Sequence, residues 1–282
     1  MNTRKAAVAG TFYPESSEGL RQEIEECFRH QFGPGAVPSV SAEGPRRIVG
    51  LVSPHAGYVY SGPAAGHGFS ALAQDGAPDL FIIIGPNHRG SGAQMAVGAS
   101  GCWETPLGRA RIDEMVAQSI IAKTPLANQD EQAHLAEHSI EVQLPFLQYL
   151  YGENFRFVPI AMVDQDLAAA RQIGRSVAAS IVGRNAVVIA STDFSHYVPQ
   201  TRAERQDALA LDAIGHLDEV LLQSVVSQHG VSMCGPGPVT AMLVAAKLLG
   251  ATGSRLLQYM TSGDITGDKR SVVGYGSLVV TK

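Results

Sequence analysis

Two rhythms of apolar residues alternate along this chain. Short runs with β-branched residues are separated by longer stretches in which apolar positions recur at helical spacing. The runs at 48–52 (IVGLV), 80–84 (LFIII) and 186–190 (AVVIA) read as central strands. Residues 155–163 (FRFVPIAMV) read as a further strand, with Pro159 arguing for an edge or a bulge because proline cannot donate to a ladder. A short edge strand is expected at 95–97, and strands at 256–260 and 272–280 close the chain.

Helices are expected at Ser17–Arg29, 61–73, 113–122, 137–150, 166–182, 202–217 and 238–249. Ser61 is a candidate N-cap with Pro63 in the first turn of its helix. Pro145 should kink or interrupt the 137–150 helix. The alternation predicts the α/β class: one domain, residues 1–282, with a mostly parallel or mixed central sheet flanked by helices. Neither an internal repeat nor a low-complexity segment interrupts it.

Composition narrows the function classes. Apolar residues make up 45% of the 282, enough for a substantial core. A net charge of −5 leaves no basic footprint, so nucleic acid is not an expected partner. No apolar stretch approaches a membrane span, and no apolar run of secretory-signal length follows the charged start. Cys27, Cys102 and Cys234 are odd in number and far apart, which suits reduced thiols in a cytoplasmic protein. Cys27 falls on the apolar stripe of its helix, and Cys102 reads as a loop residue.

The chemistry stands where the strand runs end. Residues 48–52 lead into Ser53-Pro54-His55, and 80–84 lead into Gly85-Pro86-Asn87-His88. Residues 186–190 lead into Ser191-Thr192-Asp193-Phe194-Ser195-His196. If these runs are adjacent parallel strands, their carboxyl ends meet at the crevice where open α/β sheets place their sites. Imidazole suits iron, copper and zinc. Cys234 opens a Gly/Pro turn before a helix, where the helix dipole should lower a thiol pKa. Asp193 and His196 could set a carboxylate and an acid/base imidazole on one side of a pocket. His138 and Glu141 share a face at i and i+3 and are candidate substrate contacts. Each also has a plain structural reading: a turn, a cap or a packed side chain. His30, His67, His134, His216 and His229 read as surface or packing residues. P-loop, Rossmann, His-Glu-x-x-His and Cys-x-x-Cys patterns are all missing.

Taken together, several segments resemble the Memo family, called AmmeMemoRadiSam system protein B in bacteria. They are the stretch from Arg4 to Pro14, Pro54-His55-Ala56-Gly57-Tyr58, Gly85-Pro86-Asn87-His88 and Thr105-Pro106-Leu107-Gly108. Glu137-His138-Ser139-Ile140-Glu141, the Ser191–His196 segment, Cys234-Gly235 and Gly274-Tyr275-Gly276 complete the match, in order along nearly the whole chain.

That family is similar to class III extradiol dioxygenases of the LigB type, which open catechol rings with O₂ on Fe(II). The resemblance implies a LigB-like fold and a metal held by His55, His88 and Cys234, the cysteine standing where the dioxygenases have a glutamate. It implies an acid/base role for His196 with Asp193 beside it. His138, Glu141, Asn87 and Tyr58 are the expected substrate contacts. Fe(II) is the implied cofactor, with copper or zinc as alternatives.

The resemblance also implies a small-molecule or peptide ligand and a pathway link to radical SAM and AMMECR-type proteins. It leaves two functions open, a dioxygenase-like oxidoreductase and a non-catalytic ligand-binding or signalling protein with a vestigial metal site; a third, a zinc hydrolase, follows because two histidines and a cysteine can also hold catalytic zinc.

Overall fold

The apolar strand runs lie side by side. The computed structural model describes residues 2–282. Its strands are β1 (Thr3–Arg4), β2 (Ile48–Ser53), β3 (Leu80–Pro86), β4 (Met95–Val97), β5 (Cys102–Thr105), β6 (Gly108–Ile112), β7 (Asn128–Gln129), β8 (Arg156–Met162), β9 (Ala186–Ser191), β10 (His196–Val198), β11 (Gly253–Thr261) and β12 (Val272–Thr281). Its helices are α1 (Ser17–Arg29), α2 (Tyr58–Asp75), α3 (Glu114–Lys123), α4 (Leu144–Tyr151), α5 (Leu167–Ile181), α6 (Gln200–Gly215), α7 (Glu219–His229), α8 (Pro236–Leu248) and α9 (Ser262–Thr266).

One sheet contains all the strands, in the main order β1-β5-β6-β8-β3-β9-β2-β12-β10. Its centre, β8-β3-β9-β2, is parallel: Ile82 pairs with Val158 on one side and Val188 on the other, and Val188 pairs with Gly50. β12 runs antiparallel to β2, and β10 and β11 run antiparallel to β12, so the sheet is mixed. The central runs are apolar on both faces because both faces are covered. A side chain at Gly50 would strike Met242 of α8, whereas its neighbour Leu51 is turned to Gly68 of α2. α1 packs on α2 and α5 packs on α8, so helices flank the sheet on both sides of one contiguous core. None of the described helices is long and apolar enough to cross a membrane.

The structure moves several sequence expectations. α2 starts at Tyr58, one turn before Ser61; Gly57 is the N-cap and Ser61 Oγ donates back to Ala56 O. Burial of Tyr58, whose hydroxyl donates to Val142 O, draws the start back. The expected 137–150 helix is broken: a turn, a short 3₁₀ segment Glu141–Gln143, and then α4. Glu137 takes the backbone N–H groups of His138 and Ser139, which competes with helix formation there. Pro145 sits in the first turn of α4, where its missing N–H is harmless.

β8 is an interior strand, not an edge. Pro159 lies where its outer partner changes from β6, paired at Arg156 and Phe157, to β4, paired from Ile160 onward. The missing N–H therefore falls at a gap in the ladder. Cys102 is not in a loop. It starts β5, which turns through Pro106-Leu107 into β6 with Thr105 opposite Gly108. α7 was not expected, although Asp218 caps its start and a left-handed Gly230 ends it.

Candidate metal centre

Three parallel strands present their chemistry at the same offset. β2 ends at Ser53, β3 at Pro86 and β9 at Ser191; His55, His88 and Asp193 each stand two residues further on. Ser53 and Ser191 are in register, so the loops of His55 and Asp193 are neighbours. The His55 N–H donates to Asp193 Oδ1 at 2.8 Å. Cys234 comes in from the start of α8, where Gly235 N donates to Thr192 Oγ1 at 3.0 Å. A side chain at 235 would strike Ser191 O and Thr192, so only glycine lets this turn approach the end of β9.

The rings of His55, His88 and His138 converge, and their ligand atoms all lie within 4.8 Å of one another. His88 and His138 are stacked with centroids 4.7 Å apart. Cys234 Sγ lies 3.3 Å from His55 Nε2, a span that two metal–ligand bonds of about 2.0 and 2.3 Å bridge.

Hydrogen bonds assign the free nitrogens. Ser191 Oγ gives its one proton to Ser139 O at 2.6 Å, so its 2.9 Å contact with His55 Nδ1 must be donated by the imidazole. His88 Nδ1 donates to Glu137 Oε1 at 3.0 Å, and His138 Nδ1 lies 3.3 Å from the same oxygen. His196 Nδ1 donates to Ser232 O at 2.8 Å. In His55, His88 and His196 Nδ1 is tied down, leaving Nε2 to act as ligand or base, and the Glu137 carboxylate beside His138 Nδ1 favours a proton on that nitrogen.

Electrostatics agree with this assignment. Burial first, then the neighbouring imidazoles, pushes His55 well below the usual histidine range. Burial likewise lowers His138 to about 4, against the opposing pull of Glu137. Both rings are neutral at pH 7, with lone pairs free for a cation. Burial alone would raise Glu137, but the His88 hydrogen bond and charge and the Ser139 N–H hold it at about 2. Asp193 is raised to about 6 by burial, in spite of the His55 N–H.

Cys234 departs from expectation. Burial and the Asp193 carboxylate push its thiol well above the ordinary range, outweighing the helix start. The Asp193 N–H and the Thr192 hydroxyl favour the thiolate but do not outweigh burial, and a cation at the site would add to their effect. The set of neutral imidazoles, a thiol and oriented outer partners fits a transition metal.

The histidines open onto a cleft of about 560 Å³ that Asp193 and His196 also line. Phe12, Tyr60, Tyr197 and Tyr275 also line it, none of which was an expected site residue. His55, His88, Asp193 and His196 are thus brought together, and His138 joins the imidazole cluster itself; Cys234 touches His55 and Asp193 but lies outside the three-imidazole group and the cleft lining.

The other three expected substrate contacts lie behind the cleft. Glu141 is buried, paired with Arg4 and accepting from Ala7 N, Val8 N and the Tyr13 hydroxyl. Tyr58 is buried with its hydroxyl on Val142 O. Asn87 shapes its own turn, accepting from Arg89 N and Gly90 N and donating to Ser91 O. Glu137, expected only as the opening residue of the Glu137–Glu141 motif and given no role there, lies against His88 and His138.

The chain matches the model of the Memo-like protein family over residues 4–279. A protein of Methanopyrus kandleri described as a MEMO1 family protein is 49% identical over 278 residues, covering 98% of both chains. One of Methanothermobacter thermautotrophicus with the same description is 48% identical over 277 residues, covering 98% of this chain and 99% of the relative. The crystal structure of an uncharacterized protein of Escherichia coli K12 superposes with a TM-score of 0.57 at 15% identity, over 83% of this chain and all of that one. That likeness speaks for the fold alone. The family match across almost the whole sequence, with relatives near half-identical over their full length, shows that this chain belongs to the Memo family.

Proposed function

We propose that the cleft is the site of a metal-dependent oxidoreductase of the extradiol-dioxygenase type, acting on a small-molecule substrate. The observation that carries this reading is the convergence of three imidazoles on an open cleft, with Nε2 of His55 and His88 free and the Cys234 thiol against His55. His55, His88 and Cys234 hold the metal in this reading, and His138 faces the same space. Fe(II) is the preferred ion, with copper or zinc as alternatives; Fe(II) held there would supply redox chemistry toward O₂. A cytoplasmic location belongs to the same proposal.

The chain's own groups do the rest. His196, tied at Nδ1 to Ser232 O, presents Nε2 as the base that takes a proton from a substrate hydroxyl and returns it later. Asp193 holds the His55 backbone and adds a carboxylate beside the cleft. The aromatic lining of Phe12, Tyr60, Tyr197 and Tyr275 would pack against an apolar substrate face. Anaerobic purification with metal analysis, followed by O₂ uptake with a panel of catechols and enediols, tests the proposal. Metal-dependent O₂ consumption supports it. A metal-loaded protein that consumes no O₂ with any of them would turn the reading toward binding without catalysis.

A further inference from the structure

Among the described residues, Glu137 is a buried carboxylate with no Lys or Arg partner. Glu141, four residues on, is paired with Arg4. A lone buried carboxylate is unfavourable unless donors surround it. Here the donors come from two loops. Oε2 accepts from the backbone N–H of His88 at 2.6 Å. Oε1 accepts from His138 N at 2.9 Å and Ser139 N at 2.8 Å, and it accepts the hydrogen bond of His88 Nδ1–H at 3.0 Å. The His138 Nδ1 lies 3.3 Å from that same oxygen. One side chain therefore fixes the backbone and ring of His88 and the backbone of His138, and it sets its negative charge against the His138 ring.

We propose that Glu137 is a positioning residue that holds His88 and His138 as a matched pair, both protonated at Nδ1 and both turning Nε2 to the centre. The pair form is what distinguishes it. A carboxylate behind one ligand histidine raises that ring's basicity and sets its tautomer. A carboxylate shared by two stacked rings makes their orientations one structural variable, so losing it loosens both together. Because Oε1 and Oε2 already accept backbone N–H groups, Glu137 stays behind the rings and does not compete for the centre. The importance of that pair for metal affinity rests on the metal reading above. The tautomer assignment does not.

Two measurements separate these. In metal-free wild-type protein, nitrogen-15 spectra of the imidazoles should show His88 and His138 as Nδ1–H tautomers, and Nε2–H tautomers for both would overturn the proposal. Glu137→Gln, whose amide brings a donor to a place filled with donors, should give mixed tautomers for both rings. Zn(II) titration against a chelating dye should show affinity about 10–100-fold weaker than wild type. Affinity and ring tautomers equal to wild type in a folded Glu137→Gln protein would also overturn it. If the variant does not fold, the wild-type spectra still decide. If wild-type protein takes up no Zn(II) while both rings are Nδ1–H, the metal reading fails and the positioning role stands.

Discussion

The backbone N–H of His55 donates to Asp193 Oδ1 at 2.8 Å, tying the loop after β2 to the loop after β9. Asp193 in turn offers its own N–H to Cys234 Sγ at 3.1 Å. The three loops that bring His55, Asp193 and Cys234 together are thus hydrogen-bonded to one another and held by the sheet beneath. The Asp193 carboxylate serves that framework as well as the cleft. Asp193→Asn keeps an acceptor for His55 N. It should hold metal within a few-fold of wild type and lower any turnover less than loss of His196, as metal analysis and O₂ uptake on one preparation would show.

The ligand assignment predicts a large loss of metal from either end of the set. His55→Ala and Cys234→Ala should each weaken Fe(II) or Zn(II) binding by at least tenfold in anaerobic titrations, since no second thiol lies at the site. Undiminished affinity in both variants would falsify the assignment.

His196 lines the cleft without belonging to the three-imidazole cluster. His196→Ala should therefore keep near-wild-type metal content and lose about 10²–10⁴-fold in O₂-dependent turnover, the usual worth of a general acid or base. A variant that loses metal instead would move His196 into the ligand set.

Glu141 is predicted to matter for folding. Glu141→Ala strands the buried Arg4 guanidinium and two backbone N–H groups, and loss of one partner of a buried pair costs about 3–5 kcal/mol. Thermal melts should register that loss. A variant with unchanged melting and weakened substrate binding would return Glu141 to the substrate contacts.

Acid should weaken the metal-free protein through His138, which titrates near 4 in the folded state and near 6.5 in the unfolded chain. Between those values the unfolded chain binds the proton and the folded one does not. Stability therefore falls as pH drops through this window, by an amount on the order of 3 kcal/mol for the full shift. Asp193, raised from 3.8 to about 6, acts oppositely: its contribution is present below about 3.8 and lost as pH rises through 6. The variant His138→Gln isolates the first effect. Its melting temperature should drop less than that of wild type between pH 7 and pH 4.5, and an equal drop would remove His138 as the source.

Periodicity along the chain was enough to find the central strands at 48–52, 80–84 and 186–190, because strands covered on both faces must be apolar at every position. The same local pattern located His55, His88, Asp193 and His196 just beyond them, and the Gly/Pro turn before a helix picked out Cys234, to which the resemblance to the Memo family gave a ligand role. What local pattern does not carry is which groups face each other across the sheet. Cys102 looked like a loop residue because the β5–β6 hairpin is held by cross-strand pairing. Pro159 argued for an edge because the change of neighbour from β6 to β4 is a property of the assembled sheet.

Glu137 and Glu141 are four residues apart in one motif, yet tertiary packing gave them opposite roles. The N-terminal segment lies against Glu141 and supplies Arg4 and backbone donors to it, whereas the His88 loop lies against Glu137 and turns it toward the imidazoles. The sequence by itself determined which chemical groups stand at the ends of the strands. Only the tertiary structure decided which of them meet, because buried polar groups are assigned by the partners that long-range packing brings to them.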